Sequence, residues 1–405
     1  MKKPLFVTLL ALSFLVEAVE CNDLEAYIST LKRESFKNRY RKNELESKKL
    51  RDSWIAPIRL NYRYLRSTPY ESEQTNMSAG IAIDQPIFKF GGIYYGIKYA
   101  DALYATNDLQ IKRQERTLIK DAVALLMGLK KIDLQIARQK LQIDNAMINL
   151  EQKREQYING QLDSGFMNSA VIEKNIVKKA FFELETQKEN LISKFHAISD
   201  LSYEDAPVPT LRFVDEEEFF ARNIDMKLAK SAIKRDYYNK NTATAKYLPT
   251  VSVNGAYRWE RNEDIQFGNT GASFSGETHY YNYGFHIDMP LEINTFRDIE
   301  SAKVDYLQSR IRLADERRAL RALYEKVMQN IENIEKKIAL AQENERLYQT
   351  LLHDTEVLYQ SGYKTEYDVK NMRNSLEIER INRKIYFYEK QLELLELYER
   401  IEREI

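Results

Sequence analysis

The chain has 405 residues, 30% of them charged, and its 61 Lys and Arg residues balance its 61 Asp and Glu residues. Only 13 Gly and 8 Pro occur, and this scarcity of chain breakers favours long helices over a fold with many turns. The zero net charge argues against nucleic-acid binding, and the single Cys excludes an intrachain disulfide and any cysteine-based zinc site.

The first 18 residues match a secretory signal, with two early lysines followed by the apolar run Leu5–Val16. Cleavage after such a signal would send the mature chain out of the cytoplasm. Lipidation of Cys21 is an alternative fate of the new N-terminus, although Glu20 stands where lipoprotein signals carry a small residue. Beyond these residues no apolar run is long enough to form a membrane-spanning helix.

The sequence repeats itself once. Gly80–Pro86 resembles Gly284–Pro290, and Tyr157–Gly160 resembles Tyr359–Gly362. The two offsets are nearly equal, 204 residues (284 − 80) and 202 residues (359 − 157). Landmarks that recur in register indicate an internal duplication. We predict that each half contains a helix, two strands, a very long helix, a turn and a second long helix.

Proline placement supports this division, because no Pro occurs between Pro86 and Pro207 or after Pro290, and Pro disrupts helix interiors. The predicted segments are a signal peptide over 1–18, an N-terminal helix over 19–56, a membrane strand hairpin over 57–90, a helical hairpin over 91–205, a linker and the helix of the second repeat over 206–248, a second membrane strand hairpin over 249–290 and a second helical hairpin over 291–405.

Four segments alternate apolar and polar residues with a period of two. Strands of about ten residues with this pattern are what a membrane barrel requires, although a half-buried sheet in a soluble protein gives the same alternation. The residues expected to face lipid are Ile58, Leu60, Tyr62, Val251, Val253, Tyr257, Phe285 and Ile287. The residues expected to line a barrel lumen are Arg59, Arg63, Asp84, Arg258 and Asp288. The polar connections over 67–76 and 261–278 are expected to be loops.

Four strands cannot close a barrel, and lipid does not tolerate an open sheet edge. Strands that span a membrane must therefore be pooled by several chains, eight strands from two chains or twelve from three. Twelve are compatible with a wide, water-filled lumen, whereas eight leave little bore. The sequence favours an oligomer without fixing the number of chains.

The long segments between the strands carry apolar residues with a period of seven, which indicates coiled-coil packing. From about Ile93 to Tyr157 a single helix would be roughly 100 Å long at 1.5 Å per residue. Gly160 and Gly362 are expected to form the turns of two helical hairpins. The main heptad rows are Ala122, Leu129, Ile136, Ile143 and Leu150 in the first half, and Leu313, Leu320, Val327, Ile334, Ala341 and Tyr348 in the second.

Three short segments resemble TolC-type outer-membrane efflux and secretion channels: residues 84–88 (DQPIF), 247–253 (YLPTVSV) and 359–369 (YQSGYKTEYDV). Each is degenerate by itself, but they occur in duplicated order along essentially the whole mature chain. The resemblance implies a mainly α fold, in which long antiparallel coiled-coil hairpins build an α-barrel and a homotrimer shares a 12-stranded transmembrane β-barrel.

The resemblance also implies a location and partners. The protein would lie in the bacterial outer membrane, in contact with its lipid, and reach into the periplasm. A periplasmic adaptor (membrane fusion) protein and an inner-membrane pump would be its partners. Its role would be that of the passive exit duct of a tripartite efflux or type I secretion system.

In that family the tip of the second helical hairpin carries a periplasmic gate, formed by a Tyr, a basic residue and two Asp residues. Here the second acidic position is Asn371, a departure that implies a weaker ring of negative charge. A plainer interpretation of Lys364 and Asp368 is a solvated i,i+4 pair worth roughly 0.2–0.5 kcal/mol. The matching gate positions are Tyr359, Lys364, Asp368 and Asn371. The tip residues expected to dock an adaptor are Gly160, Gln161, Leu162, Gly362 and Tyr363.

No catalytic constellation appears in the sequence. His279 and His286 lie an odd number of residues apart on one predicted strand, so they face opposite sides and are poor joint metal ligands. No phosphate-binding loop, dinucleotide fingerprint or nucleophile elbow occurs. We therefore predict that the protein is not an enzyme and has neither a cofactor nor a metal site.

The alternative function is a periplasmic coiled-coil adaptor or scaffold protein without a membrane barrel. It would explain the heptads and the export signal. It would not explain four aromatic-rich alternating strands placed between the helices.

Overall fold

The structure is a computed structural model that describes residues 24–68, 73–266 and 273–402. The expected signal peptide, 1–18, and Cys21 lie outside these residues. The chain forms two compact units. The sheet unit comprises residues 36–113 and 224–320, and the hairpin unit comprises residues 1–35, 114–223 and 321–405, as far as these are described.

The elements follow one another in the duplicated order. After a short 3-10 helix over Leu24–Tyr27, they are α1 (Thr30–Arg51), β1 (Arg59–Ser67), β2 (Gln74–Phe88), α2 (Gly92–Ile158), α3 (Ser164–His196), α4 (Glu216–Ala221), α5 (Ile224–Lys246), β3 (Thr250–Gln266), β4 (Ser273–Asp288), α6 (Thr295–Gln360) and α7 (Glu366–Tyr398). The two very long helices have 67 and 66 residues. Among the described residues, none of the helices combines the length and the apolar character needed to cross a bilayer.

The strands differ from the expectation in length. β2, β3 and β4 have 15, 17 and 16 residues, more than the ten or so expected. β2 begins inside the segment 67–76, and β3 and β4 extend into the segment 261–278, both of which were expected to be loops. The prediction was wrong because it took polar composition as a sign of a loop. Main-chain hydrogen bonds between strands do not require apolar side chains on either face.

The sheet is antiparallel, with the strand order β1-β2-β3-β4. The two halves of the chain meet at its centre, where β2 pairs with β3 and Ile81 lies opposite Tyr257. β1 and β4 are the edges, and within the described sheet each has one hydrogen-bonded neighbour. The sheet therefore presents two unpaired edges, one from each half of the chain.

In the sheet unit the helices are arranged in the order α1, α2, α5, α6. The Asn43 side chain of α1 donates to the Tyr104 carbonyl of α2 at 3.1 Å. The hydroxyls of Thr106 in α2 and Ser231 in α5 lie 2.9 Å apart. The ring of Tyr237 in α5 packs edge-on against Tyr306 of α6, with the centroids 5.8 Å apart.

In the hairpin unit the order is α3, α2, α7, α6. α2 contacts α3, where the Gln139 side chain donates to the Val177 carbonyl at 2.9 Å. On its other side α2 contacts α7, where Asn374 donates to Asn145 at 2.8 Å. α2 and α7 are thus inner helices of this unit, and α3 and α6 lie at its two edges.

The heptad expectation fits α6 most closely, because α6 is an edge helix with α7 beside it. Lys390 of α7 lies 2.6 Å from Glu335 of α6, next to the apolar seam. The buried members of the expected row are Leu320, Val327, Ile334 and Ala341.

α2 buries a wider stripe than a two-row heptad, because it packs against both α3 and α7. Val123, Leu126 and Met127 are buried together with Ala122 and Leu129 of the expected row. The number of helices that pack against a given helix decides how much of its surface is buried. The sequence does not specify this number.

Candidate functional sites on the sheet and at the hairpin tips

One face of the sheet is apolar and uncovered within the chain. Residues paired across an antiparallel sheet project from the same face, so the register assigns each strand's apolar positions to a common surface. Leu60 and Phe285 on this surface are 79% and 75% exposed. One cross-strand row on this face consists of Leu60, Ile81, Tyr257 and Tyr281.

The residues expected to face lipid lie on this apolar face, with one of them just outside the sheet. Ile58 precedes the first residue of β1 and is exposed. The others project from the apolar face by register: Leu60, Tyr62, Val251, Val253, Tyr257, Phe285 and Ile287.

The opposite face is polar. Its rows include Arg59, Ala82, Ala256 and Asn282, followed by Asn61, Gly80, Arg258 and Tyr280. The five residues expected to line a lumen all project from this face: Arg59, Arg63, Asp84, Arg258 and Asp288.

His286 lies between two of these carboxylates. Its Nε2 atom is 2.9 Å from Asp288 Oδ2 and 3.8 Å from Asp84 Oδ1. His279 pairs with Trp259 and so projects from the apolar face. Among the described residues, no group of three or more His, Cys, Asp or Glu side chains has the arrangement of a metal site.

The two helical hairpins turn in the same way. Gly160 and Gly362 have φ angles of +69° and +79°, in the left-handed region that suits glycine. The amides of Gln161 and Tyr363 each donate to the carbonyl five residues earlier, at 2.8 and 2.9 Å. This bonding pattern is the Schellman cap of a helix end. The repeated sequence motif thus marks a repeated turn.

The expected gate residues surround the second turn. Tyr359 lies in the last turn of α6 and is partly exposed, whereas Lys364 lies in the exposed connection. Asp368 and Asn371 lie in the first turns of α7 and are half-buried. The ion pairs of the described residues do not include one between Lys364 and Asp368.

Asp368 belongs to a capping box with Thr365. Its carboxylate accepts hydrogen bonds from the Thr365 amide and hydroxyl, both at 2.9 Å. The Asp368 amide donates in return to the Thr365 hydroxyl at 3.3 Å. The backbone hydrogen bond from Thr365, assisted by its hydroxyl and by the charge of Lys364, lowers the pKa of Asp368 below its usual value. The carboxylate is therefore charged over the physiological pH range.

One contact at the tips has no counterpart in the expectations from sequence. The Tyr367 hydroxyl of α7 donates to Glu155 of α2 at 3.2 Å, which joins the two helical hairpins beside their turns. The neighbouring carboxylate raises the pKa of Tyr367, so the phenol remains a donor at neutral pH. The Thr-x-x-Asp pattern could have revealed the capping box, but no local pattern connects positions 155 and 367.

The tips also expose apolar side chains. Tyr363 and Ile158 are 81% and 69% exposed, and Tyr157, Phe166 and Tyr359 are exposed as well. The residues expected to dock an adaptor follow α2 and α6 directly: Gly160, Gln161, Leu162, Gly362 and Tyr363.

Residues 217–399 match the family model of outer membrane efflux proteins. The matched segment is a little under half of the chain. It contains β3, β4 and the second helical hairpin, with the capping box of α7. No curated protein sequence matches the chain.

Solved outer-membrane channels share the fold of nearly the whole chain, including both repeats. The outer membrane protein VceC of Vibrio cholerae has a TM-score of 0.72 at 14% identity, with 93% of this chain and 95% of that chain covered. For the CmeC outer membrane channel of Campylobacter jejuni the values are 0.70 and 12%, with 93% and 84% covered.

The open state of the MtrE outer membrane channel of Neisseria gonorrhoeae has a TM-score of 0.64 at 13% identity, with 93% of this chain and 87% of that chain covered. The fold is therefore that of TolC-type channels along nearly the whole chain.

Proposed function

We propose that the protein is the exit duct of a tripartite efflux or type I secretion system, assembled as a homotrimer in the bacterial outer membrane and extending into the periplasm. The observation that carries the proposal is the sheet. It has one exposed apolar face, one polar face and two unpaired edges, in a chain whose residues 217–399 match the family model of outer membrane efflux proteins.

Physical chemistry connects such a sheet to an oligomer. In hydrocarbon every backbone amide and carbonyl needs a partner, so an open edge strand is not tolerated. Pairing β4 of one copy with β1 of the next would satisfy both edges. Three copies would supply twelve strands, enough for a water-filled lumen, whereas the eight strands of two copies would leave little bore.

The two faces then have different surroundings. The apolar face would contact lipid through residues such as Leu60, Tyr257 and Phe285. The polar face, with Arg59 and Asp84 among its residues, would line the lumen. A wet lumen would make the protein a passive conduit, so the energy for transport would come from its partners.

The hairpin tips fit the role of a periplasmic gate and docking site. Tyr359, Lys364, Asp368 and Asn371 would contribute to the constriction. The bond from Tyr367 to Glu155, which holds the two hairpins together, would favour the closed arrangement.

The exposed apolar residues around Gly160, Gln161, Leu162, Gly362 and Tyr363 would receive a periplasmic adaptor. An inner-membrane pump would complete the system. Exposed aromatic side chains are typical of such docking surfaces, because their burial contributes strongly to binding.

The decisive measurement is the native mass of the full chain extracted with detergent from the outer-membrane fraction. We expect a particle with three times the protein mass of the mature chain. Recovery of a monomer or dimer without detergent would overturn the proposal and favour a periplasmic adaptor or scaffold.

A further inference from the structure

Three arginines lie close together on the polar face of the sheet. Arg59 and Arg258 are in adjacent cross-strand rows, since Arg59 pairs with Ala82 and Arg258 pairs with Gly80. Arg63 is one row further along β1. Because successive rows on one face are two residues apart, the group spans about 14 Å along the strands. We call Arg59, Arg63 and Arg258 the arginine belt.

The arginine belt is exposed and has no carboxylate partner. All three side chains are exposed, and within the described part of the chain none of their guanidinium groups forms an ion pair. The guanidinium groups of the arginine belt are therefore available to bind solutes.

The carboxylates on the same face are engaged elsewhere. Asp84 and Asp288 both contact His286, at 3.8 and 2.9 Å. Glu260 accepts a hydrogen bond from the Tyr280 hydroxyl at 2.9 Å. In the two rows of Arg59 and Arg258 there is no acidic residue among the paired positions. The row of Arg63 contains Glu260, two strands away on β3, so one carboxylate partly offsets the three positive charges and the arginine belt keeps a net positive charge.

The β2 positions that pair with Arg59 and Arg258 are small, although Asn61, Tyr280 and Asn282 lie in the same two rows. Gly80 lies directly opposite Arg258, and a Cβ atom there would come within 3.5 Å of the Arg258 side chain. Ala82 and Ala256 occupy the row of Arg59. The stem of the Arg258 side chain therefore packs over Gly80. The exposed guanidinium groups of the arginine belt remain accessible to a bound solute.

We propose that the arginine belt is a binding site for anionic solutes, and that it favours multivalent anions that carry phosphate or carboxylate groups. The guanidinium group presents several donors in a planar fork that matches these oxygen groups. The inference rests on the proposed trimer, in which nine arginines, three from each copy, surround one lumen. It adds a substrate class to that duct: anionic cargo.

Fixed charge on the wall of a narrow passage raises the local concentration of counter-ions. The Debye length is about 8 Å at physiological ionic strength, so the effect is strongest for ions near the wall and grows as the salt is diluted. Multivalent anions gain more than chloride does. A multivalent anion should therefore reside at the arginine belt and block the passage of small ions.

The first experiment uses the full chain in planar bilayers with inorganic tripolyphosphate as the probe. We expect tripolyphosphate added on the side of the β1–β2 and β3–β4 connections to reduce the current. The double variant Arg59→Gln with Arg258→Gln should raise the half-blocking concentration about tenfold, which corresponds to about 1.4 kcal/mol. It should also shift the reversal potential in a KCl gradient towards cation selectivity.

Arg261→Gln is the matched control. Arg261 lies on β3 but projects from the opposite face, where it pairs with Glu263 at 2.6 Å. This variant makes the same Arg-to-Gln change at one position outside the arginine belt and should leave block and reversal potential unchanged. Arg258→Lys, which keeps the charge, should retain most of the block. Equal block in the wild type and the double variant would overturn the arginine belt as the site.

A second measurement separates this inference from the proposed function. Isothermal titration of the detergent-extracted protein with tripolyphosphate does not require conduction. We expect about tenfold weaker binding in the double variant than in Arg261→Gln. A wild type that forms no channel would contradict the proposed function, and the titration would still decide about the arginine belt: binding that is absent, or equal in both variants, overturns it.

Discussion

Asp368 combines a local structural task with a charge at the tip of a helical hairpin. Its carboxylate accepts two hydrogen bonds from Thr365, so it would be needed at the start of α7 even without a gate. A simple substitution by Ala removes both properties at once. The two can be separated, because a capping box accepts Gln at the same position.

We expect Asp368→Ala and Asp368→Gln both to raise single-channel conductance, since both remove negative charge from the constriction. Only Asp368→Ala should loosen the first turn of α7, by about 1 kcal/mol, the usual cost of a lost cap. Planar-bilayer recordings together with hydrogen exchange of this turn measure the two effects. Unchanged conductance in both variants would mean that Asp368 is not part of the constriction.

Acid should weaken the same capping box. The pKa of Asp368 is lowered in the folded state, so its contribution to stability is fully present above the unfolded pKa of about 3.9. It is lost as the pH falls through the lower folded pKa. We expect amide exchange in the first turn of α7, corrected for the intrinsic rate, to increase below about pH 4. Asp368→Gln has no such group, and an identical step in that variant would contradict the assignment.

At the scale of single elements, the register of the strands determines which side chains project from each face of the sheet. Tyr257 and Phe285 project from the apolar face, whereas Asn282 projects from the polar face. The same substitution at these positions therefore meets different surroundings in the proposed barrel. A slip by one residue would exchange the faces.

Tyr257→Arg and Phe285→Arg should each abolish assembly in the outer membrane, because Arg on a lipid-facing strand position costs about 2–4 kcal/mol near the midplane. Asn282→Arg is the control on the polar face and should assemble normally. Fractionation followed by gel separation of the unheated, detergent-extracted oligomer measures assembly. Normal assembly of all three variants would place the apolar face outside the lipid.

The bond between Tyr367 and Glu155 connects elements from the two halves of the chain. Tyr367→Phe removes the hydroxyl and keeps the ring, so it should increase the open probability of the channel in bilayer recordings. Tyr363→Phe is the control, since Tyr363 is 81% exposed in the turn. Equal open probabilities for both variants and the wild type would show that the bond does not restrain the tips.

Element order and sheet faces could be predicted from the sequence, because period two and period seven are local patterns. The turn glycines could be predicted too, since Gly160 and Gly362 recur in register. The ends of β3 and β4 could not, because main-chain pairing continues through polar residues. The Tyr367–Glu155 contact depends on how helices from different repeats are placed side by side, and neither residue lies in a motif.

At the scale of the whole molecule, each of the two long helices, α2 and α6, belongs to both units of the duplicated chain. In the sheet unit α2 and α6 have α1 and α5 as neighbours, and in the hairpin unit they have α3 and α7. Each long helix therefore buries different stripes along its length. This is why one heptad register does not describe α2 throughout, even though its sequence is periodic.

The pairing of β2 with β3 also sets an order of events in the folding of the chain. Ile81 and Tyr257 lie 176 residues apart (257 − 81) in the sequence and opposite each other in the sheet, and such distant pairings form slowly. β1 and β2 are synthesised well before β3, the strand that pairs with β2. Until β3 is available, β2 has an unpaired edge that can pair with other chains. Formation of the α2–α3 hairpin brings the chain back and shortens the remaining search. We therefore expect the α2–α3 hairpin to form before the central pairing of β2 with β3.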